Sequence, residues 1–146
     1  MVTLQEMNGN ARKISLAYEK ALSPLAKEID MPYTAVSILL FIANNPDFAT
    51  ARDICELRGF KKPIVSTHVE RLVAEGYIER RAVPGDRRKY ALICTEKADR
   101  IIEAGRERQI RFAEALLEGI NVEDRAVMER CFQRMNENID KLIKEK

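Results

Sequence analysis

The chain has no tryptophan, one histidine, three cysteines and no long hydrophobic run in its 146 residues. Each shortage removes a class of function. No apolar stretch approaches the roughly 18 to 20 residues that cross a bilayer, and the start, MVTLQEMNGNARK, lacks the apolar centre of a secretory leader. A cytoplasmic protein without a membrane partner is the expectation. Cys55, Cys94 and Cys131 are odd in number and far apart, with no metal-ligand spacing between them. Buried free thiols in a reducing compartment follow, and no metal site. No glycine-rich phosphate loop, no Ser/His/Asp or Cys/His pairing and no isolated carboxylate pair is visible, so neither an enzyme nor a cofactor is expected. Repeats, low-complexity segments and linkers are missing too, which leaves one domain over residues 1–146 with a sizeable core.

What is present is charge, 33% of all residues, and its distribution is uneven. Residues 52–89 hold ten Lys or Arg against six Asp or Glu, a local +4, while the rest of the chain carries −2. That asymmetry points to an anionic partner for one region, with nucleic acid the first candidate.

Hydrophobic periodicity places the elements. Ile14, Ala17, Tyr18, Ala21, Leu22 and Leu25 recur at helical spacing and predict a first helix over about Leu4 to Leu22, ended or kinked by Pro24. Pro32 suits the first turn of a second helix that buries Val36, Leu39, Leu40 and Ala43 and stops before Asn44-Asn45-Pro46. Thr50 followed by Asp53 forms a capping box for a short helix from Ala51 to Arg58, closed by Gly59. A fourth helix starts near Pro63, turns Val65, Val69, Leu72 and Val73 inward and ends with Gly76. Tyr77-Ile78 and Tyr90–Ile93 read as strands around Val83-Pro84-Gly85-Asp86, where Pro then Gly fits a type II turn. Thr95 is placed to cap a long fifth helix, and Asn121, with Glu123 and Asp124, opens a sixth. The expected fold is mainly α with a β-hairpin: an α+β winged helix of six helices, the lobe spanning about 32–94 and the helices of about 1–23 and 95–146 joining two copies.

The segment Lys61–Thr95 carries the chemistry. Opposite the apolar stripe of the fourth helix stand Pro63, Thr67, Glu70, Arg71 and Ala74, with Ser66 and His68 flanking. Small polar residues near a helix start permit close approach to base edges, and Arg71 is able to read guanine through two hydrogen bonds or to hold a phosphate. Lys61 and Lys62 oppose the helix dipole, which a bound phosphate would reverse into a favourable cluster. In the hairpin Arg80, Arg81, Arg87, Arg88 and Lys89 face only Asp86. An arginine on such a tip fits a narrow minor groove, and Asp86, two residues before Arg88, is positioned to orient its guanidinium.

These residues resemble the MarR family of winged-helix transcriptional regulators over almost the whole chain. The likeness rests on Asp86-Arg87-Arg88, on Thr95-Glu96-Lys97 nine residues past the Asp, and on Val65-Ser66, Leu72, Gly76 and Ile78-Glu79-Arg80. Cys94 stands where the family usually has Leu, and Ala98 where Gly is common. The resemblance implies a homodimer that binds a pseudo-palindromic operator in double-stranded DNA, usually as a repressor, and releases it when a small ligand or oxidant acts. It makes Asp86 the anchor and Arg88 the minor-groove residue. It also implies an effector cavity between the first two helices, the fifth helix and the lobe, where Tyr18, Tyr33 and Phe41 are candidates that read as core too. The alternatives are a thiol-based redox sensor, for which Cys94 is the candidate and Cys131 reads as core, and a winged helix that binds only protein. Steep salt dependence of binding separates the last from DNA recognition.

Overall fold

The computed structural model describes residues 1–145, apart from the side chain of Phe48. Its helices are α1 (Leu4–Glu28), α2 (Tyr33–Asn44), α3 (Ala51–Arg58), α4 (Lys62–Ala74), α5 (Asp99–Leu116) and α6 (Val122–Lys144), with strands β1 (Ile78–Val83) and β2 (Asp86–Cys94) between α4 and α5. The chain divides into two compact units, residues 1–112 and residues from Ala113 on. This is the winged-helix arrangement expected from the sequence.

In the first unit α2 is the central element. Residues Ala35 to Leu40 and Ile42 are all buried, so this helix is apolar around most of its circumference and packs on every side. Leu22, Leu25 and Ala26 of α1, Ile54 of α3, Val65, Val69 and Leu72 of α4, Ile78 and Leu92 of the hairpin, and Ile102 of α5 complete one core. At Gly105, α5 presses against α2: a Cβ there would lie 2.5 Å from a methyl carbon of Leu40. The Asn44 end of α2 is held by Arg106, whose Nε donates to Asn44 Oδ1 at 2.9 Å and whose Nη2 donates to the Ala43 carbonyl at 3.0 Å.

Three expectations need correction. Pro24 does not end α1, which continues to Glu28. Pro24 deprives Lys20 of its backbone partner, but Lys20 is exposed, where water serves that carbonyl, and Leu22, Leu25 and Ala26 bury on both sides of the proline. The Ser23 hydroxyl also donates to the Glu19 carbonyl at 2.7 Å. Thr95 does not cap α5 through its side chain: it precedes a 3-10 turn, Glu96–Ala98, and makes no capping bond there. Its Oγ1 donates instead to the Gly76 carbonyl at 2.5 Å, while Lys97 Nζ donates to the Glu75 carbonyl at 2.5 Å. The residues entering α5 thus close the end of α4. Finally, both strands are longer than expected, pairing from Ile78↔Cys94 out to Ala82↔Tyr90 before an irregularity at Ala82/Val83. Gly85 has φ 85°, as the third position of a type II turn requires.

In the second unit, Asn121 caps α6 by accepting from the Asp124 N–H at 2.8 Å. Arg125 donates to the carbonyls of Leu117 and Ile120 at 2.7 and 2.8 Å, supplying the donors that a helix end lacks. No residue of α6 is buried. Met128, Phe132, Met135, Ile139 and Leu142 repeat at alternating four- and three-residue steps, the spacing of a seam between packed helices. Cys131 is exposed rather than core.

Candidate nucleic-acid interface and effector cleft

A cleft of about 530 Å³ lies between the start of α3, the exposed side of α4 and the hairpin. Thr50, Ala51, Arg52 and Glu56 form one wall, Ser66 and Glu70 the floor, and Arg80, Arg88 and Lys89 the far wall. Strand parity explains the aim of Arg88. Alternate residues of a strand point to opposite faces, so Arg88 and Tyr90 share a face with Leu92, which is buried. The Leu92 N–H donates to the Ala49 carbonyl at 2.6 Å, binding the base of the hairpin to the segment that enters α3. There the Thr50–Asp53 capping box expected from the sequence is fully formed. Arg52, which the sequence did not single out, thus joins Arg80 of the basic run at this cleft.

The Asp86 carboxylate bonds the Arg88 main chain rather than its guanidinium. Its Oδ1 accepts from the Arg88 backbone N–H at 2.9 Å, which sets the turn and leaves the guanidinium free. Arg87 and Lys89 are exposed beside it. Arg81, from the same basic run, is paired with Glu79 at 2.8 Å.

On α4, Lys61 is the N-cap, with no side-chain cap bond, and Lys62 and Pro63 occupy the first turn, all exposed. Ser66 and Thr67 are exposed too, the Thr67 hydroxyl donating to the Pro63 carbonyl at 2.9 Å. Arg71 and His68 stand apart. Arg71 pairs with Glu75 at 2.8 Å and sits beside Lys27, Asp30 and Pro32 at the turn between α1 and α2, away from the hairpin cleft. His68 is half-buried with no hydrogen bond to Nδ1. Burial first, then the Arg71 charge, lowers its pKa, so it offers no cation to a phosphate near neutral pH.

A second cleft, of about 380 Å³, opens between α1, the start of α2, and the end of α3. Tyr18 and Tyr33 line it as expected, together with Arg58, Phe60 and Phe112. Phe41 does not; it packs against the core instead. Nothing in the local sequence around Arg58 singles it out. Its guanidinium carbon lies 5.4 Å from the ring centres of both Tyr18 and Phe60, and Nη2 donates to the buried Ser37 hydroxyl at 2.8 Å. Among the described residues it makes no ion pair. Desolvation raises the pKa of Tyr33, which therefore stays a neutral phenol. The Tyr18 hydroxyl accepts from Gln109 Nε2 at 2.6 Å, and Gln109 Oε1 accepts from Asn44 Nδ2 at 2.9 Å. With the Arg106–Asn44 bond these contacts join cleft, α5 and the end of α2.

Cys94 does not suit oxidant sensing. Burial pushes Cys94 up to about 11, whereas a sensor needs an accessible thiolate. Its Sγ faces the Leu39 carbonyl at 3.8 Å. No group of three or more His, Cys, Asp or Glu among the described residues is arranged to hold a metal, and no described helix is long and apolar enough to cross a membrane.

A helix pair followed by a two-stranded hairpin, with cations on the hairpin facing the second helix, defines a winged helix-turn-helix protein. Residues 29–89 match the sequence model of the MarR family. The uncharacterized HTH-type transcriptional regulator YdgJ of Bacillus subtilis (strain 168) is 24% identical over 104 residues, 71% of this chain. The chain spans only 63% of that relative's length. Among solved structures, a MarR transcriptional regulator from Methanosarcina mazei Go1 superposes with a TM-score of 0.76 at 15% identity, covering 97% of this chain and 94% of its own. A putative MarR family transcriptional regulator from Listeria monocytogenes, complexed with 26mer DNA, gives 0.74 at 15% identity, covering 95% and 89%. At such identities the likeness is one of fold.

Proposed function

We propose that this protein is a sequence-specific DNA-binding transcriptional regulator, a repressor, that grips a pseudo-palindromic operator as a homodimer. The observation that carries the reading is the convergence of Arg80, Arg88 and Lys89 on a cleft walled by the capped start of α3 and floored by Ser66 and Glu70 of α4. In this reading Lys61, Lys62, Pro63, Ser66 and Thr67 meet the major groove, and Arg88, flanked by Arg87 and Lys89 and set by Asp86, enters the adjacent minor groove. His68 and Arg71 lie at the margin, and an Arg71 contact requires breaking its pair with Glu75. The Listeria protein of similar fold was solved complexed with 26mer DNA, which supports the reading by analogy of fold. The seam on α6 and the exposed Leu4, Met7, Ile14 and Leu16 of α1 are faces for a second copy to cover. Two-fold symmetry then sets the two α4 helices about 34 Å apart, one turn of duplex.

The second cleft is the place for an effector. Aromatic walls and a guanidinium without a carboxylate partner suit a small aromatic or amphipathic anion, whose entry between α1, α2 and α3 would alter the spacing of the two lobes and loosen the operator. Such a protein works in the cytoplasm.

The test is titration of the full chain onto a duplex over a range of salt. The logarithm of affinity should fall with the logarithm of salt by about 0.9 for each phosphate neutralised. Arg88→Ala should lower affinity at least tenfold and flatten that slope, while sedimentation shows an unchanged assembly. Binding that ignores salt, or an Arg88→Ala protein that binds like wild type, refutes the assignment.

A further inference from the structure

We infer that Glu70 reads a base and selects cytosine at one position of each half-site, an inference that rests on the DNA-binding reading above. Residues 52–89 contain six acidic side chains, and five are engaged within the protein. Asp53 closes the capping box with Thr50. Glu56 pairs with Arg52, Glu75 with Arg71 and Glu79 with Arg81, each at 2.8 Å. Asp86 holds the Arg88 N–H. Glu70 alone has no hydrogen bond and no ion pair among the described residues. It is exposed, one helical turn beyond Ser66, on the floor of the cleft that Arg80, Arg88 and Lys89 overlook.

A free carboxylate on a surface that meets a polyanion is a penalty unless a donor awaits it. Phosphates offer none. In the major groove the exocyclic amino groups of cytosine and adenine do. Adenine sets its N6 donor next to the N7 acceptor, and guanine and thymine present O6, N7 or O4, all of which repel a carboxylate. Cytosine N4 is a donor with no acceptor beside it on the same base. An acceptor-only side chain therefore chooses cytosine by attraction and rejects the others by repulsion. Arg71, the long polar side chain next to Glu70 in sequence, is held by Glu75 beside the α1–α2 turn, so it does not compete for the same base.

The experiment selects sequences from a randomised duplex pool with the full chain as wild type, Glu70→Ala and Glu70→Gln. The Glu70 side chain has no partner to lose, so all three should fold alike, as far-UV circular dichroism would check. Wild type should prefer cytosine at one half-site position by roughly tenfold, within the range of a good base contact. Glu70→Ala should lose that preference and bind unrelated duplex more tightly, having shed a charge that repels phosphate. Glu70→Gln should move the same position to adenine, whose N6 and N7 match a carboxamide. Three identical motifs overturn the inference, as does an alanine variant that binds every sequence more tightly with its motif unchanged. Failure of the wild type to bind any duplex at low salt overturns the DNA-binding reading itself, a result distinct from both.

Discussion

Alanine at Gly105 should destabilise the protein, although alanine is ordinarily the better residue inside a helix by about 1 kcal/mol. The opposing term comes from Leu40. A Cβ on residue 105 would lie 2.5 and 2.7 Å from the two methyl carbons of Leu40 and 3.1 Å from its Cγ, where carbon contacts settle at about 3.5–4.0 Å. Rotating the methyl groups leaves Cγ in place, and Leu40 is fully buried, so relief needs a backbone shift of α5 against α2. Overpacking of this kind costs about 1–3 kcal/mol. The net expectation for Gly105→Ala is a loss of about 1 kcal/mol, or roughly 3 °C in Tm for a chain of this size. In a Leu40→Ala background the obstruction is gone and Gly105→Ala should stabilise by about 1 kcal/mol, the helix propensity term alone. The coupling of the two substitutions is then about 2 kcal/mol, as contacting residues show. Urea unfolding of the four proteins at one fixed concentration, followed by circular dichroism, measures it. If Gly105→Ala raises the midpoint equally in both backgrounds, α5 and α2 do not meet as described.

Two more expectations follow from titratable groups. His68 has a folded pKa below its ordinary 6.5, so the unfolded chain binds the proton more readily. Stability should therefore fall as pH drops below about 6.5 and level off below the folded pKa, and His68→Gln should flatten that part of a Tm-against-pH curve. Cys94, pushed up to about 11 by burial, should resist iodoacetamide at pH 8 until the protein unfolds, as peptide mass spectrometry would read; prompt labelling of the native protein would contradict its placement.

Helix starts were legible because local chemistry dictates them. Thr50 and Asp53 form a capping box that starts α3, and the Asn121 side chain caps α6 by accepting from the Asp124 N–H. Pro24 was misleading for the converse reason. A proline's local cost was outweighed by Leu22, Leu25 and Ala26 burying on either side of it, and burial is a tertiary fact. The outer half of the hairpin was missed because its residues, Glu79 to Ala82 and Arg87 to Lys89, are exposed. Hydrophobic alternation reports only the buried base at Ile78 and Leu92, while backbone pairing, which leaves no mark on side-chain polarity, carries the ladder to Ala82↔Tyr90.

The same distinction runs through the site. Charge density found the hairpin, since a cluster of five cations is visible without coordinates. It did not separate Arg81, which Glu79 occupies, from Arg80, which faces the cleft. Helical periodicity put Arg71 on the open face of α4, but a side chain that long chooses among neighbours, and Glu75 together with the turn after α1 claims it. Arg58, Gln109 and Asn44 lie in three helices that meet only in the folded chain; nothing in their local sequence distinguishes them from solvated polar residues. Thr95 shows how the two kinds of information combine. Its position nine residues after Asp86 marked it by family resemblance, local rules made it a helix cap, and the fold turns its hydroxyl backward to the Gly76 carbonyl. With Lys97 on the Glu75 carbonyl, that contact fastens the end of α4 to the entrance of α5. The base of the hairpin is thus fastened on two sides, by Leu92 to the segment entering α3 and by Thr95 to the end of α4, so residues that hold α4 in place lie outside the helix.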